Sequence, residues 1–141
     1  MASAPSPVEL TILVVEDDAL LAADLEETIR RCGHRCLGPS GSLSEVLQLL
    51  ETNRVDAAIL DVRLRHGERA YPAADLLAAR GTPFAFVTAY GAGHIDPRYA
   101  QCRILPKPVL REEVELLVQE LIGRPQPVRP QELTAATPDR L

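Results

Sequence analysis

The sequence predicts a doubly wound α/β fold built on a five-stranded parallel sheet, and three observations support this class. Short apolar segments recur along the chain, and a segment with helical spacing follows most of them. Several of the apolar segments lack polar alternation, which is typical of strands that helices cover on both faces of a parallel sheet. Polar or acidic residues follow several of these strands, where the ligand crevice of such a sheet lies. Successive strand–helix units therefore favour a (βα)5 sheet with helices on both faces.

The five strands are predicted from short runs that are rich in aliphatic or aromatic residues. They lie at residues 10–15, 35–38, 55–62, 83–90 and 103–105. The first run, LTILVV, and the fourth, PFAFVTAY, are almost continuously apolar and suit buried central strands. The second run carries the weakest signal.

The first helix is predicted at residues 19–32. Leu21, Leu25 and Ile29 repeat every four residues and form one apolar stripe. Gly33 follows at the position of a helix C-cap, so the helix is expected to end there.

The other helices are predicted from their first turns and from proline. Ser42 opens an S-x-x-E sequence, which has the spacing of a capping box, and a second helix follows it. A short helix at 72–80 has proline in its first turn, and a final helix covers 108–122. Between them, Pro97 leaves at most one helical turn in residues 94–100, so the fourth helix is expected to be short or poorly ordered.

Composition and charge exclude several classes of function. The chain has 141 residues, a formal charge of −5 and 46% hydrophobic residues, as an ordinary globular domain does. The acidic balance argues against general nucleic-acid binding, which needs a basic stripe for phosphates. No apolar run approaches the ~20 residues that span a bilayer, and the N-terminus lacks the features of a secretory signal. We therefore expect a cytoplasmic protein without nucleic-acid or membrane partners.

The chain is expected to form one domain with loose ends. Residues 1–8 are rich in Ala, Ser and Pro and are predicted to be flexible, while residues 9–122 form the domain. Residues 123–141 are predicted to be a proline-rich flexible tail that is too short for an output domain. The three cysteines are expected to be free packing thiols, and the three histidines are expected in solvated loops.

Functional side chains follow four of the predicted strands. Glu16 and Asp17 follow the first strand, and Asp61 follows the third. Thr88 lies near the end of the fourth strand, and Lys107, the only lysine among 15 basic residues, follows the fifth. Because the carboxyl ends of parallel strands meet at one edge of a sheet, we expect these five side chains to lie together.

This set of side chains suits phosphoryl chemistry. Three clustered carboxylates repel one another unless a cation relieves the repulsion, and their hard oxygen ligands favour Mg²⁺ or Mn²⁺. A lysine ammonium is a point charge for a phosphoryl oxygen, and the small Ala89 leaves room for a group to enter. A nucleophilic aspartate, a metal ion and offsetting cations are together the parts of a phosphoryl-accepting site.

These motifs resemble the receiver domains of response regulators in two-component signalling, over roughly residues 10–122. ILVVED, with its pair of acids, is similar to the first-strand motif of that family. Asp61 lies 44 residues after Asp17, at the usual place of the family's phosphoacceptor. The Thr-Ala pair near the end of the fourth strand and the Lys-Pro pair after the fifth resemble two further family motifs. The resemblance implies the flavodoxin-like topology of receivers.

The resemblance also implies a role for each residue at the sheet edge. Asp61 would accept the phosphoryl group, with Thr88 and Lys107 beside it. The implied metal ligands are the side chains of Glu16, Asp17 and Asp61 and the backbone carbonyl of Arg63. A histidine kinase or a histidine phosphotransfer protein would donate the phosphoryl group, and a downstream protein partner would bind the altered surface.

Two stretches resemble one subgroup, the FAT-GUY class of receivers. DVRLRHGERAYPAADLL resembles the segment after the phosphoacceptor, and PFAFVTAYG resembles the namesake motif, although Tyr90 follows Ala89 directly. This class has a shortened or poorly ordered fourth helix, which agrees with Pro97. Ile104 stands where receivers usually carry a switch aromatic. We therefore expect Thr88 to move toward the phosphoryl group and Tyr90 to respond together with residues 91–99.

The leading interpretation is a stand-alone response regulator that turns over no external substrate. The alternative is a phosphorylation-independent pseudo-receiver that acts as a protein-interaction module. Ile104 favours this alternative, whereas the intact set of Glu16, Asp17, Asp61, Thr88 and Lys107 disfavours it. A phosphatase of the haloacid-dehalogenase type would need a DxD motif after the first strand, and Glu16-Asp17-Asp18 does not supply one.

Overall fold

A computed structural model of the chain describes residues 8–89 and 94–123. One parallel sheet contains five strands: β1 (Thr11–Val15), β2 (Arg35–Ser40), β3 (Ala57–Leu60), β4 (Phe84–Thr88) and β5 (Ile104–Pro106). The described segments also form four α-helices: α1 (Ala19–Arg31), α2 (Leu43–Thr52), α3 (Tyr71–Ala79) and α4 (Arg111–Gly123). Short 3-10 helices lie at Arg65–Gly67 and Pro97–Tyr99. The predicted flexible ends, residues 1–8 and 123–141, lie outside the described residues except for Val8 and Gly123.

The strand order is β2-β1-β3-β4-β5, which confirms the doubly wound (βα)5 class. The order reverses direction between β1 and β3, because the chain first adds β2 on one side of β1 and then adds every later strand on the other. In open parallel sheets the ligand crevice lies at this reversal, beyond the carboxyl ends of the two strands.

The sheet is covered on both faces, which explains its unbroken apolar strands. In β1, Ile12 and Val14 pack toward α1 and α4, whereas Leu13 and Val15 pack toward α2 and α3. Successive side chains of a strand point to opposite faces, so both sets are buried. A strand of this kind needs no polar positions.

The predicted start of α1 and α2 is confirmed by their caps. Asp18 Oδ1 accepts hydrogen bonds from the amides of Leu20 and Leu21, at 3.0 and 3.1 Å. Ser42 Oγ accepts from the amide of Glu45 at 3.4 Å, while the Ser42 amide donates to the nearby Ser40 hydroxyl. Only the serine half of the predicted capping box is therefore present.

A local bulge joins β2 to β1. The register between the two strands shifts between Leu13 and Val15, where Gly38 has a φ of +85°. A Cβ at that position would lie 2.9 Å from the carbonyl oxygen of Val14, so glycine is required by both conformation and space. The bulge delivers Ser40 to the level of Val15 at the carboxyl edge of the sheet.

In the described part of the crossover from β4 to β5, residues 94–103, the 3-10 helix Pro97–Tyr99 lies where the fourth helix of the pattern would stand. The prediction of a shortened fourth helix is therefore confirmed for these residues. Tyr99 is fully buried, stacks on Tyr71 with ring centroids 6.0 Å apart, and donates its hydroxyl hydrogen to Asp75. The Tyr71 hydroxyl accepts from the amide of Asp96 at 2.8 Å.

One loop residue departs from its predicted environment. His34 was expected in solvent, but it is buried and its Nδ1 accepts a hydrogen bond from the amide of Leu10 at 3.1 Å. The histidine thus ties the start of β1 to the turn before β2. None of the helices in the described segments is both long and apolar enough to cross a bilayer.

Candidate functional site

Three carboxylates meet at the carboxyl ends of β1 and β3. Val15 pairs with Leu60, so the residues that follow them, Glu16 and Asp61, are placed side by side. The Asp61 amide donates to the carbonyl of Val15 at 2.8 Å and fixes this register. One oxygen atom from each of Glu16, Asp17 and Asp61 lies within 4.8 Å of the others. These three residues are the carboxylate cluster, and Glu16 and Asp61 are buried.

Lys107 bridges two members of the carboxylate cluster. Its Nζ lies 2.8 Å from Asp61 Oδ2 and 3.0 Å from Glu16 Oε1. The Lys107 amide donates to the carbonyl of Thr88 at 2.9 Å, which extends the β4–β5 pairing and aims the side chain across the sheet edge. Burial opposes the charge, but the hydrogen bonds to Asp61 and Glu16 prevail and raise the pKa of Lys107. The site therefore contains a permanent ammonium group.

Burial strongly perturbs the carboxyl group of Glu16. Burial raises its pKa to about 7, against the hydrogen bonds from Lys107 and the Asp18 amide, and the charge of Asp61 raises it further. Glu16 Oε2 accepts from the Asp18 amide at 3.1 Å, whereas the buried Oε1 has only the ion-pair contact with Lys107 and no hydrogen bond. One ammonium is thus insufficient for the negative charge collected here.

The carboxylate cluster fits a divalent metal ion. Its donors are all carboxylate oxygens, which are the hard ligands that Mg²⁺ prefers. The hydrogen-bond vacancy at Glu16 Oε1 gives one buried oxygen a lone pair for a cation. A backbone ligand from Arg63 stays a prediction.

The structure also shows where Thr88 and Ala89, the predicted hydroxyl and small residues of the site, lie. Thr88 is fully buried at the end of β4, and Ala89 is exposed next to it. Ile104 in β5 is half-buried and pairs with Phe86 of β4. Tyr90 lies outside the described residues.

Gly41 is part of the site and was missed by sequence reasoning. It follows β2, and a Cβ there would lie 2.5 Å from the Cβ and 2.7 Å from the Cα of Asp17. Only glycine lets the chain after β2 pass this close to the carboxylate cluster. In the sequence, Gly41 lies between two serines, as many loop glycines do. No local signal therefore marks it as part of the site.

The fold and this site together define a class of protein: the chain belongs to the response-regulator receiver domains. It is similar to SdrG from Sphingomonas melonis Fr1, with 35% identity and a TM-score of 0.72, over 81% of this chain and 97% of that one. It is also similar to the receiver domain of the sensor histidine kinase PA1611 from Pseudomonas aeruginosa PAO1, with 26% identity and a TM-score of 0.70, over 83% of this chain and all of that one. That receiver coordinates a magnesium ion in its active-site cleft.

Two longer regulators are also similar in sequence. The transcriptional regulatory protein PdtaR of Mycobacterium tuberculosis is 30% identical over 87 residues, which is 62% of this chain and 42% of PdtaR. The phyllosphere-induced regulator PhyR of Methylorubrum extorquens is 33% identical over 81 residues, which is 56% of this chain and 30% of PhyR. The chain therefore matches less than half the length of either regulator. No family model matches the chain.

Proposed function

We propose that this receiver accepts a phosphoryl group on Asp61 and signals through a phosphorylation-dependent protein-binding surface. The observation that carries the proposal is the Lys107 ammonium, 2.8 Å from Asp61 at the edge of a three-carboxylate cluster. The donor would be a histidine kinase or a histidine phosphotransfer protein. The partial FAT-GUY motifs and the short 3-10 helix Pro97–Tyr99 support placement in the FAT-GUY subgroup.

The transfer needs a nucleophile and a means of offsetting charge. One carboxylate oxygen of Asp61 attacks the phosphorus atom, the phosphorus–nitrogen bond of the phosphohistidine breaks, and its electron pair returns to the imidazole. Lys107 stays beside the phosphoryl oxygens as a point charge, because its Nζ already contacts Asp61. Mg²⁺ or Mn²⁺ held by Glu16, Asp17 and Asp61, with the Arg63 carbonyl, would supply the further neutralisation that phosphoryl transfer requires.

The response to phosphorylation would begin at Thr88. Its hydroxyl lies on a strand whose next residue, Ala89, leaves space at the sheet edge. With Ile104 in place of the usual switch aromatic, the signal would pass to Tyr90 and residues 91–99 rather than through a rotating ring in β5. A downstream protein would bind this altered surface, and the chain would turn over no external substrate. We further propose a cytoplasmic location.

The proposal is tested by phosphorylating the chain with acetyl phosphate in the presence of Mg²⁺. We expect an intact-mass gain of one phosphoryl group in the wild type and none in Asp61→Asn. Asp24→Asn is a matched control, because Asp24 is an exposed aspartate of α1 that is not part of the carboxylate cluster. A gain that persists in Asp61→Asn would refute the assignment of the phosphoacceptor.

A second candidate is a pseudo-receiver that binds its partner without phosphorylation. The observation in its favour is Ile104, because the usual aromatic of the switch is missing from β5. Absence of any mass gain in the wild type, together with unchanged amide spectra after addition of beryllofluoride and Mg²⁺, would establish this function instead.

A further inference from the structure

The Lys107 ammonium serves only part of the carboxylate cluster. Its Nζ contacts Asp61 and Glu16, at 2.8 and 3.0 Å, and no ion pair joins it to Asp17. Asp17 is half-buried, and its carboxylate makes no hydrogen bond or ion pair with any residue that the structure describes. The third carboxylate of the cluster therefore needs positive charge from another source.

The side chain of Arg65 lies beside Asp17, above Gly41. A Cβ on Gly41 would lie 2.5 Å from the Cβ of Asp17 and 3.4 Å from the Nε of Arg65. The two side chains thus meet over one point of the loop after β2, and their separation is less than the sum of these distances. The guanidinium is near enough for its field to act on Asp17, although the two groups form no ion pair.

The backbone that carries Arg65 is anchored on both sides. Residues 62–70 form a hairpin between β3 and α3, in which the amide of Leu64 donates to the carbonyl of Glu68 at 2.8 Å. Leu64 is buried in the core. Glu68 Oε1 accepts a hydrogen bond from the amide of Leu43 at 3.2 Å, at the start of α2. The hairpin is therefore fixed against the loop that Arg65 covers.

The two cations near the carboxylate cluster are held very differently. The side chain of Lys107 is 19% exposed and contacts two carboxylates. Arg65 is exposed, and its guanidinium has no hydrogen bond or ion pair among the residues that the structure describes. A change of charge in the cluster can therefore move Arg65 at little cost, whereas moving Lys107 would break two contacts.

A divalent ion in the carboxylate cluster would meet the field of this guanidinium. Both carry positive charge, and both draw on the same carboxylate of Asp17. We propose that Arg65 competes electrostatically with the divalent ion and so sets the metal affinity of the carboxylate cluster. Arg65 is the counter-charge of Asp17 in the metal-free receiver, and its side chain turns toward solvent when the ion binds.

The inference rests on the proposed function in one respect, because it takes the carboxylate cluster to be the site of Mg²⁺ or Mn²⁺. It adds a residue that contributes no ligand and acts on the ion only through charge. The buried, unbonded Oε1 of Glu16 is the observation that points to an ion in the cluster, and it does not involve Arg65. The metal site and the effect of Arg65 on it can therefore fail separately.

The experiment is a calorimetric titration of the full chain with Mg²⁺, without a phosphoryl donor. Arg65→Gln should bind Mg²⁺ about two- to sixfold more tightly than the wild type at low ionic strength, and the difference should shrink as salt is added. Arg65→Lys keeps the charge and should stay within about twofold of the wild type. The matched control is Arg54→Gln, which removes an exposed arginine at the amino end of β3, opposite Asp61, and should leave the affinity unchanged.

A second measurement follows the guanidinium itself. The Nε–H group of Arg65 gives a side-chain amide signal, which is identified by its loss from the spectrum of Arg65→Lys. We expect this signal to shift with added Mg²⁺ and to saturate at the same concentration as the backbone amide of Asp17, because both report the same ion.

Four results would overturn the proposal. Weaker Mg²⁺ binding in Arg65→Gln would mean that the guanidinium orients Asp17 for the ion instead of competing with it. Equal tightening in Arg54→Gln would mean that the ion senses only net charge. Mg²⁺ binding to the wild type with the same affinity in Arg65→Gln would refute the role of Arg65 alone. Absence of Mg²⁺ binding to the wild type would refute the metal site of the proposed function together with this inference.

Discussion

Two groups of side chains in this domain differ in how fully their polar atoms are paired. The carboxylate cluster has three acids beside the single ammonium of Lys107, and Glu16 Oε1 has no hydrogen bond there. Tyr71, Phe84, Phe86 and Tyr99 form the second group, the aromatic cluster, with ring centroids 5.7 to 6.1 Å apart. In that cluster both tyrosine hydroxyls are hydrogen-bonded, to Asp75 and to the amide of Asp96.

This difference suits the carboxylate cluster to chemistry and the aromatic cluster to structural support. The carboxylate cluster keeps an unmet demand for positive charge, which a metal ion satisfies when it binds. The aromatic cluster has its polar tips bonded and its rings packed, so it supplies rigidity to the crossover beside the site. Changes in the first group should therefore alter chemistry and pH response, whereas changes in the second should alter stability.

The largest effect is expected at the centre of the aromatic cluster. Tyr99→Ala removes a fully buried ring and should lower the free energy of unfolding by about 3–5 kcal/mol. Tyr99→Phe, which keeps the ring and loses only the bond to Asp75, should cost about 1 kcal/mol. Urea unfolding followed by circular dichroism measures both. Equal losses in the two variants would show that the hydroxyl, and not the ring, holds the crossover.

The next effect is a pH dependence of stability that comes from Glu16. Its pKa is about 7 in the fold against 4.5 when it is unperturbed, so the folded state retains a proton that the unfolded state has lost. This contribution is fully present below pH 4.5, is lost as the pH rises through 7, and amounts to on the order of 3 kcal/mol. The difference between wild type and Glu16→Gln, measured by urea unfolding without divalent cations, isolates it. A difference that does not change between pH 4.5 and pH 8 would contradict the assignment.

A smaller effect, of about 100-fold in rate, is expected when the ammonium is removed. Lys107→Gln deprives the phosphoryl oxygens of a positioned cation, and loss of one such group typically costs about 100-fold. The rate of mass gain with acetyl phosphate and Mg²⁺ measures this effect. Arg103→Gln is the control, because it removes an exposed cation that pairs with Glu120 and should leave the rate within about twofold. Similar rates for Lys107→Gln and the wild type would mean that the ammonium has no part in transfer.

The smallest effect is expected at Gly41. Gly41→Ala forces Asp17 away from its place, and overpacking of this kind costs about 1–3 kcal/mol of stability. Calorimetric titration should show weaker Mg²⁺ binding in the same variant. Gly123→Ala is the control, because a Cβ there meets no atom within 4 Å. Unchanged Mg²⁺ affinity in Gly41→Ala would show that Asp17 is dispensable as a ligand.

The sequence was sufficient for the parts of the site that rest on local patterns. Glu16, Asp61 and Lys107 each follow a strand that is recognisable from its own residues, and a parallel sheet collects such positions at one edge. Pro97 likewise predicted the shortened fourth helix. The 3-10 helix Pro97–Tyr99 confirms this prediction for the residues that the structure describes. These predictions needed no knowledge of which helices pack together.

The features that sequence reasoning missed depend on pairs of residues far apart in the chain. Gly41 matters because of Asp17, and Tyr99 is held by Asp75, which is 24 positions away. His34 was predicted in solvent, yet its ring caps the amide of Leu10 across the same separation. None of these pairings leaves a periodic or spacing signal, because each is set by how distant elements meet in the packed fold.

The single lysine of the chain has a practical consequence. Fourteen arginines supply the other basic side chains, and guanidinium groups do not react with amine-selective acylating reagents. Lys107 is therefore the one side chain that an amine-reactive probe can label, and it is the side chain that bridges Glu16 and Asp61. The rate of its acylation, followed by site-resolved mass spectrometry, reports how firmly the ammonium is held in the site.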